Sequence, residues 1–347
     1  MNSKFLKISK YQRKIDSFYS QCLTCERKCK IAEGNTGLCQ TRINIDGKIH
    51  TNVYGLIPAL SFNLIEKKPL YHFYPGSVAI TIGTYGCNFT CFWCQNHHLS
   101  KTKPFDASHF DTSDEFLSPE RLIEIALKRG CNGTSISFNE PTLLFEYSLN
   151  IFNLAKQNGL YNTYVTNGYM TEEVLRDLVG SGLDAMNIDI KGDFDMVQKY
   201  CGIDVEKVWR NAVIAKNLGV HVEITTLLIQ GINTDENIIK NIAERIKKEL
   251  GENTPFHISR AFPHYKSNEY GIFEPTPIEI LYKAHKIAKE EGLKHVYLGN
   301  LPKSKYNNTY CPHCSNILIK RKLMGIEKKF FDSNGNCNFC GFPICIT

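Results

Sequence analysis

The chain of 347 residues lacks any apolar run near the roughly 18 residues of a membrane-spanning helix, so no membrane partner is expected. Its N-terminus, "MNSKFLKISKYQRKIDSFYS", lacks the apolar core of a signal peptide, which points to a cytoplasmic protein. Low-complexity segments and internal sequence repeats are missing too. Charge of one sign is not dominant. A net charge of +6 is mild for this length, and the short runs "KKEL", "KKP" and "KRK" read as solvated surface, so nucleic acid is permitted without being required. Apolar residues at 42% against charged residues at 22% argue for a sizeable core. The length suits one large domain with small appendages, or two modest domains.

Cysteine, by contrast, is abundant. In a reducing compartment, 14 cysteines are better explained as metal ligands or reactive groups than as disulfides. Most fall into three groups. "CLTCERKC" supplies Cys22, Cys25 and Cys29, and Cys39 follows. "GCNFTCFWCQNHH" supplies Cys87, Cys91 and Cys94. "CPHC" and "CNFC" supply Cys311, Cys314, Cys337 and Cys340. Cys131 and Cys201 stand alone and read as core residues. Cys345 is a spare.

Between the second and third groups the chain alternates. "VAITIG" (78–83), "GTSISF" (133–138), "YNTYVTN" (161–167), "AMNIDIK" (185–191), "VHVEITTLLI" (220–229) and "FHISRAF" (256–262) read as short buried strands. "HVYLGN" (295–300) is a candidate seventh. Helical patterns lie between them. One opens at Ser118 with Pro119 in its first turn; another opens with a Thr276 to Glu279 capping box. Six strand–helix units in series predict an α/β fold with a parallel sheet, either open and doubly wound or a (β/α) barrel.

The middle cysteine loop has three thiols and no fourth. Three thiolates can hold three irons of a [4Fe–4S] cluster and leave the fourth iron open for a ligand that is not protein. The other readings are a zinc site completed by His97 or His98, and core cysteines. This spacing, Cys87-x3-Cys91-x2-Cys94 with Trp93 before the last thiol, resembles the signature of the radical S-adenosylmethionine (SAM) enzymes. The resemblance implies a partial (β/α)6 TIM-like barrel, and SAM chelating the open iron. It implies reductive cleavage to a 5′-deoxyadenosyl radical, and hydrogen abstraction from a substrate. "SFNEPT" (137–142) occupies the place of the family's Gly-Gly-Glu, so Glu140 is expected to bind the SAM amino group; Phe138 and Asn139 replace the glycines. "TNG" (166–168) and "DIK" (189–191) resemble the pyruvate formate-lyase activating branch. There the resemblance places Asn167 near SAM and Lys191 at its carboxylate. Val165 stands where those activases carry a cation-binding Asp, so that cation site is not carried over, although Asp189 remains. Trp93, Glu140, Asn167, Asp189, Lys191 and His257 form the expected cofactor-binding set. His257, Arg260 and His264 all come from the end of the sixth strand. No catalytic residue is assigned.

Longer segments resemble one group within the superfamily, the AmmeMemoRadiSam-system radical enzymes: "IEKKPLYHFYPGS" (65–77), "GCNFTCFWCQN" (86–96), "NEPT" (139–142), "TTLLIQGIN" (225–233) and "VYLGN" (296–300). Gln230 stands where that group usually has Pro. The resemblance implies Memo-like and AMMECR-domain proteins as candidate partners, besides a one-electron donor of flavodoxin or ferredoxin type. The four C-terminal cysteines have zinc-ribbon spacing. The four N-terminal ones suit zinc or a second Fe–S cluster. The expected organisation is a Cys-rich module at 1–74, a core at 75–302 and a zinc-ribbon-like module at 303–347. The activity expected is radical modification of an unidentified substrate, for instance a protein, as in glycyl-radical activases. RNA or small-molecule modification by the same chemistry, and a non-catalytic Fe–S electron carrier or scaffold, are the alternatives.

Overall fold

The computed structural model of the chain describes residues 3–104, 116–301, 304–322, 325–344 and 346. Cys345 and the expected boundary at 302 and 303 lie outside the described residues. The central element is an eight-stranded sheet: β1 (Ala59–Leu64), β2 (Val78–Gly83), β3 (Gly133–Ile136), β4 (Tyr161–Thr166), β5 (Ala185–Asp189), β6 (His221–Leu228), β7 (Phe256–Arg260) and β8 (Val296–Gly299). β2 to β8 are parallel; β1 runs antiparallel to β2 along one edge.

All seven strands read from sequence are present. Their order in space is their order in the chain, which excludes the doubly wound alternative, where strand order reverses at a switch point. The sheet is open, because its outer strands β1 and β8 are not paired with each other among the described residues. The partial barrel therefore appears as an open parallel sheet without ring closure. β1 was not expected. Its Leu60 and Phe62 are exposed, so it lacks the buried apolar pattern of its neighbours.

Helices fill the crossovers: α1 (His97–Ser100) and α2 (Pro119–Lys128) after β2, then α3 (Phe145–Gln157), α4 (Glu172–Gly180), α5 (Phe194–Cys201), α6 (Val205–Asn217), α7 (Glu236–Arg245) and α8 (Ile278–Glu290). α2 starts as expected: Ser118 Oγ accepts from the Arg121 N–H at 3.2 Å, and Pro119 leads the first turn. The capping box at Thr276 does not form. Pro277 is the N-cap of α8, and the Thr276 hydroxyl instead donates to the Leu228 carbonyl at 2.7 Å, tying α8 to the end of β6. Among the described residues no helix is long and apolar enough to cross a membrane.

Three small sheets flank the large one. Lys7–Ile8, Lys48–Thr51 and Arg42–Ile45 form one, and Gln12–Lys14, Tyr19–Cys22 and Lys30–Ala32 form another. Thr309–Tyr310, Ile317–Lys322 and Gly325–Lys329 make the C-terminal one. The N-terminal pair is fixed to α3 by a buried ion pair, Arg42 Nη1 to Glu146 Oε1 at 2.7 Å, with side chains only 2% and 5% exposed. The same guanidinium donates to Ser9 Oγ and the Leu143 carbonyl. Glu146→Ala would strand a buried guanidinium, so we expect a loss of about 3–5 kcal/mol. The double substitution Arg42→Met/Glu146→Leu should recover most of it. Urea unfolding checks this; equal stability of the single and double variants would contradict it.

Candidate functional site

The loop from Thr84 to Asn96 leaves the C-terminal end of β2 without regular structure, yet much of it is buried. Side chains therefore satisfy its peptide groups. Asn139, just past β3, accepts from the Thr84 N–H at 3.1 Å and donates to the carbonyls of Tyr85 (3.3 Å) and Gly86 (3.0 Å). Asn96 returns a bond to the Phe138 carbonyl, and Lys101 bonds the Phe89 carbonyl at 2.8 Å. From the N-terminal module, Arg27 donates to the Asn88 carbonyl at 2.8 Å and to the carbonyls of Cys201 and Gly202. Asn139 occupies the place of an expected family glycine, and this pinning role explains why an amide works there. Phe138, in the other glycine's place, keeps a left-handed backbone at φ 72°.

The three thiols face separate surroundings. Cys87 Sγ accepts from the Phe89 N–H at 3.4 Å; Cys94 Sγ lies 3.0 Å from Ser100 Oγ; Cys91 Sγ lies 3.4 Å from Cys201 Sγ. Burial, and secondarily the Glu140 charge, pushes the Cys87 thiol up to about 12. Beside these thiols, His97 Nδ1 sits against the Cys94 carbonyl and its ring stacks on Tyr265. Trp93 is buried and packs edge-on against Phe92 and Tyr200, and Phe92 stacks on Tyr270 at 3.8 Å.

Glu140, Asn167 and Lys191 lie just past the ends of β3, β4 and β5. Glu140 is 2% exposed. It accepts from Thr142 through backbone and hydroxyl, from Thr166 Oγ1 at 2.7 Å and from the Asn167 N–H at 2.8 Å. Burial raises its pKa against the pull of those bonds. Asn167 Nδ2 donates to Asn88 Oδ1 at 2.7 Å, which joins the ends of β2, β3 and β4. Lys191 Nζ meets Asp189 Oδ2 at 3.1 Å. Burial opposes its charge, but Asp189 and the Cys91 and Cys201 sulfurs hold the ammonium above its ordinary range.

Cys201 is a core residue as expected, but it is not alone: it ends α5 against Cys91 and within the field of Lys191. One reading changes. His257, expected at the strand end, is the second residue of β7. Its Nε2 lies 2.6 Å from the buried Glu223, and its ring sits between Tyr71 and Tyr297. That network lies in the N-terminal halves of the strands and holds Tyr71 and His72 by their N–H groups, so His257 is not with the other candidates. Arg260 does end β7, but its Nε is bonded to the Thr276 carbonyl at 2.7 Å; His264 lies in the loop beyond. Cys131 is buried just before β3, as expected. Lys68 was missed: it is 6% exposed, burial lowers its pKa to about 8, and its ammonium lies 5.0 Å from the Phe138 ring.

The C-terminal cysteines gather differently. The sulfurs of Cys311, Cys314, Cys337 and Cys340 all lie within 4.8 Å of one another, with 3.7 Å between Cys311 and Cys340 and between Cys314 and Cys337. Four thiolates about 2.3 Å from one tetrahedral ion would stand roughly 3.8 Å apart. His313 is exposed, stacks on Phe342 and is not among them. Arg321, in the sheet between these cysteine pairs, donates to the Tyr71 carbonyl at 2.8 Å, which anchors this sheet beside the Glu223 network.

Residues 81–244 match the Radical SAM superfamily. A protein of Methanocaldococcus jannaschii, named only as uncharacterised, is 38% identical over 337 residues, 97% of this chain and 98% of its own. The chain belongs to the radical SAM superfamily. As a radical SAM enzyme it also has a relative named as a putative glycyl-radical enzyme activating enzyme, from the same organism. That protein is 29% identical over 228 residues, 64% of this chain and 79% of its own. The crystal structure of a radical SAM methyltransferase from Sphaerobacter thermophilus shares the fold, with a TM-score of 0.51 at 12% identity over 85% of this chain and 76% of that one.

The family implies a [4Fe–4S] cluster and SAM. The residues present fit them. Cys87, Cys91 and Cys94 share one pinned loop, and two buried polar atoms beside it, Asn88 Nδ2 and Ser137 Oγ, have no partner in the protein.

Gly86 couples this loop to the N-terminal module. Its φ is +81°, and a Cβ there would lie 2.3 Å from the Cys39 carbonyl oxygen. Gly219, at φ +85°, has nothing within 4 Å of that position. Gly219→Ala should cost only the left-handed strain, about 1–2 kcal/mol. Gly86→Ala should cost clearly more in the same urea titration; equal losses would contradict the close approach.

Proposed function

We propose that this enzyme binds a [4Fe–4S] cluster through Cys87, Cys91 and Cys94, with SAM beside Glu140, Asn167 and Lys191. Its substrate would be another protein, as for a glycyl-radical activase. The observation that carries the reading is the convergence of the three-thiol loop with Glu140 and Asn167 at the ends of β2, β3 and β4. When bound, the cluster and SAM supply one-electron cleavage of the sulfonium and a 5′-deoxyadenosyl radical able to take a hydrogen atom from substrate.

The chain's own groups do the positioning. Glu140 fixes the Asn167 backbone through the 2.8 Å bond, and Asn167 in turn orients Asn88 in the cysteine loop. Asn88 Nδ2 and Ser137 Oγ offer a donor and a hydroxyl to a polar ligand. Lys191 presents a half-buried ammonium suited to a carboxylate; its bond to Asp189 keeps it charged. The buried aromatics Phe92 and Trp93 exclude water from the loop.

The relative named as a glycyl-radical enzyme activating enzyme supports a protein substrate. A cytoplasmic flavodoxin- or ferredoxin-type donor is the partner this chemistry needs, and Memo-like or AMMECR-domain proteins are proposed as further partners. We assign zinc to the four C-terminal thiols on their 3.7 Å spacing. Zinc analysis should show that equivalent lost in Cys314→Ser, and zinc retained there would remove the assignment.

Anaerobically reconstituted protein, reduced with SAM, should release 5′-deoxyadenosine. Cys91→Ala should abolish this and lose about four irons. Lys191→Ala should keep those irons but bind SAM about ten- to a hundredfold more weakly, the value of a charge-assisted contact of roughly 1.5–3 kcal/mol. Normal SAM cleavage by Cys91→Ala would refute the site.

A further inference from the structure

We propose that the cavity between α8, the start of β8 and the C-terminal cysteine module binds a small molecule carrying a phosphate group. The cavity has a volume of about 580 Å³, the size of a small-molecule site. Five of its lining residues can carry positive charge: His285, Lys289, Lys294, His295 and Lys305. Among the described residues, no aspartate or glutamate lines it. On a chain whose net charge is only +6, so one-sided a concave lining calls for an anionic occupant.

The cationic groups arrive from two directions. His285 and Lys289 stand four residues apart on α8 and so share a face. Lys294 and His295 follow in the turn into β8, and Lys305 opens the short helical turn Lys305–Asn307 ahead of the C-terminal sheet. Lys289 Nζ donates to the Lys294 carbonyl at 2.9 Å, which draws the end of α8 onto that turn. The His285 ring packs edge-on against Tyr306 at 4.7 Å. The lysine charges meet at the two histidines. Burial, then Lys289 and Lys305, lowers the His285 pKa to about 4; burial, then Lys289 and Lys294, does the same at His295. Both rings are therefore neutral near pH 7, and each stands in the field of two ammoniums. The carboxylates opposing this field lie outside the cavity: Glu252 is 3.9 Å from Lys294, and Glu223 acts on His295.

A phosphate group answers this arrangement better than a lone carboxylate. It brings about two negative charges and three acceptor oxygens, and lysine binds it as a point charge. The rest of the wall, Tyr306, Asn308, Tyr310 and Ser315, offers ring surface and neutral polar groups to the remainder of the ligand. His295 precedes β8, so the cavity lies at the N-terminal end of the parallel strands. Glu140, Asn167 and Lys191 follow the other ends of theirs. The phosphate site is therefore a second site, and it does not rest on the cluster proposed at Cys87, Cys91 and Cys94. With α8 as one wall and Lys305 to Ser315 as the other, a bound phosphate would tie the C-terminal cysteine module to the large sheet.

Inorganic pyrophosphate is the probe, titrated into full-length protein with carbon-13 in its histidines and followed by NMR. The His285 and His295 signals should move to saturation, and the His285 titration midpoint should rise by about one pH unit or more, because a bound anion favours the imidazolium. Lys289→Met/Lys305→Met keeps the apolar stems and should bind pyrophosphate at least about tenfold more weakly. Lys305→Gln, an exposed change that leaves α8 intact, should weaken binding in the same direction, and it decides the matter if the double variant does not fold. Equal affinity in these variants, or pyrophosphate that leaves both histidine signals unmoved, would overturn the site. A short single-stranded RNA without terminal phosphates that displaces pyrophosphate, and binds more tightly than it does, would overturn the small-molecule assignment in favour of nucleic acid.

Discussion

A buried loop with no helix or strand of its own must find a partner for each peptide group, or lose on the order of 1–3 kcal/mol for each one left bare. The loop from Thr84 to Asn96 is such a loop, and the arrangement around it follows from that requirement. Asn139 supplies three bonds from the end of β3, Arg27 reaches in from the N-terminal module, and Lys101 closes the far side. Asn88 is held twice, by Arg27 at its carbonyl and by Asn167 at its side chain. The thiols at Cys87, Cys91 and Cys94 are therefore carried on a backbone fixed from several directions before any cofactor arrives, which is the preorganisation a reactive site needs.

The two outer modules attach at different ends. The N-terminal module meets the loops that follow the parallel strands, through Arg27, Cys25 and Cys39. The C-terminal sheet is tied by Arg321 to the Tyr71 segment, beside Glu223 and His257 in the N-terminal halves of the strands. Two groups of four cysteines thus have different surroundings. One shares a wall with the candidate site; the other is anchored to a buried aromatic and ionic network away from it.

Much of the fold was legible because the parallel strands are buried on both faces and so read as short β-branched runs. β1 was not legible: an edge strand with Leu60 and Phe62 turned to solvent carries no such signal. The places of the thiol triplet, Glu140, Asn167 and Lys191 were legible because each follows a strand end. His257 was misplaced although the strand's start was read at Phe256: as the strand's second residue it stands at the start, and the grouping with Arg260 and His264 overlooked this. The Cys91 contact of Cys201, and Lys68 altogether, were missed for another reason. Their roles arise from packing across long stretches of chain, Cys201 onto Cys91 and Lys68 toward Phe138, and no local pattern records that. The Asn139 role was hidden by a family expectation of glycine there; only the bonds it makes reveal why an amide serves.

The central claim is that SAM binds the open iron of a cluster at Cys87, Cys91 and Cys94. Electron–nuclear double resonance on the anaerobically reconstituted, reduced protein, with SAM carrying nitrogen-15 in its amino group, tests it most directly. The account predicts a resolved hyperfine coupling between that nitrogen and the cluster spin, lost on competition with unlabelled SAM. A reduced cluster that forms at this loop, in the presence of bound SAM, with no coupling to the label would contradict it.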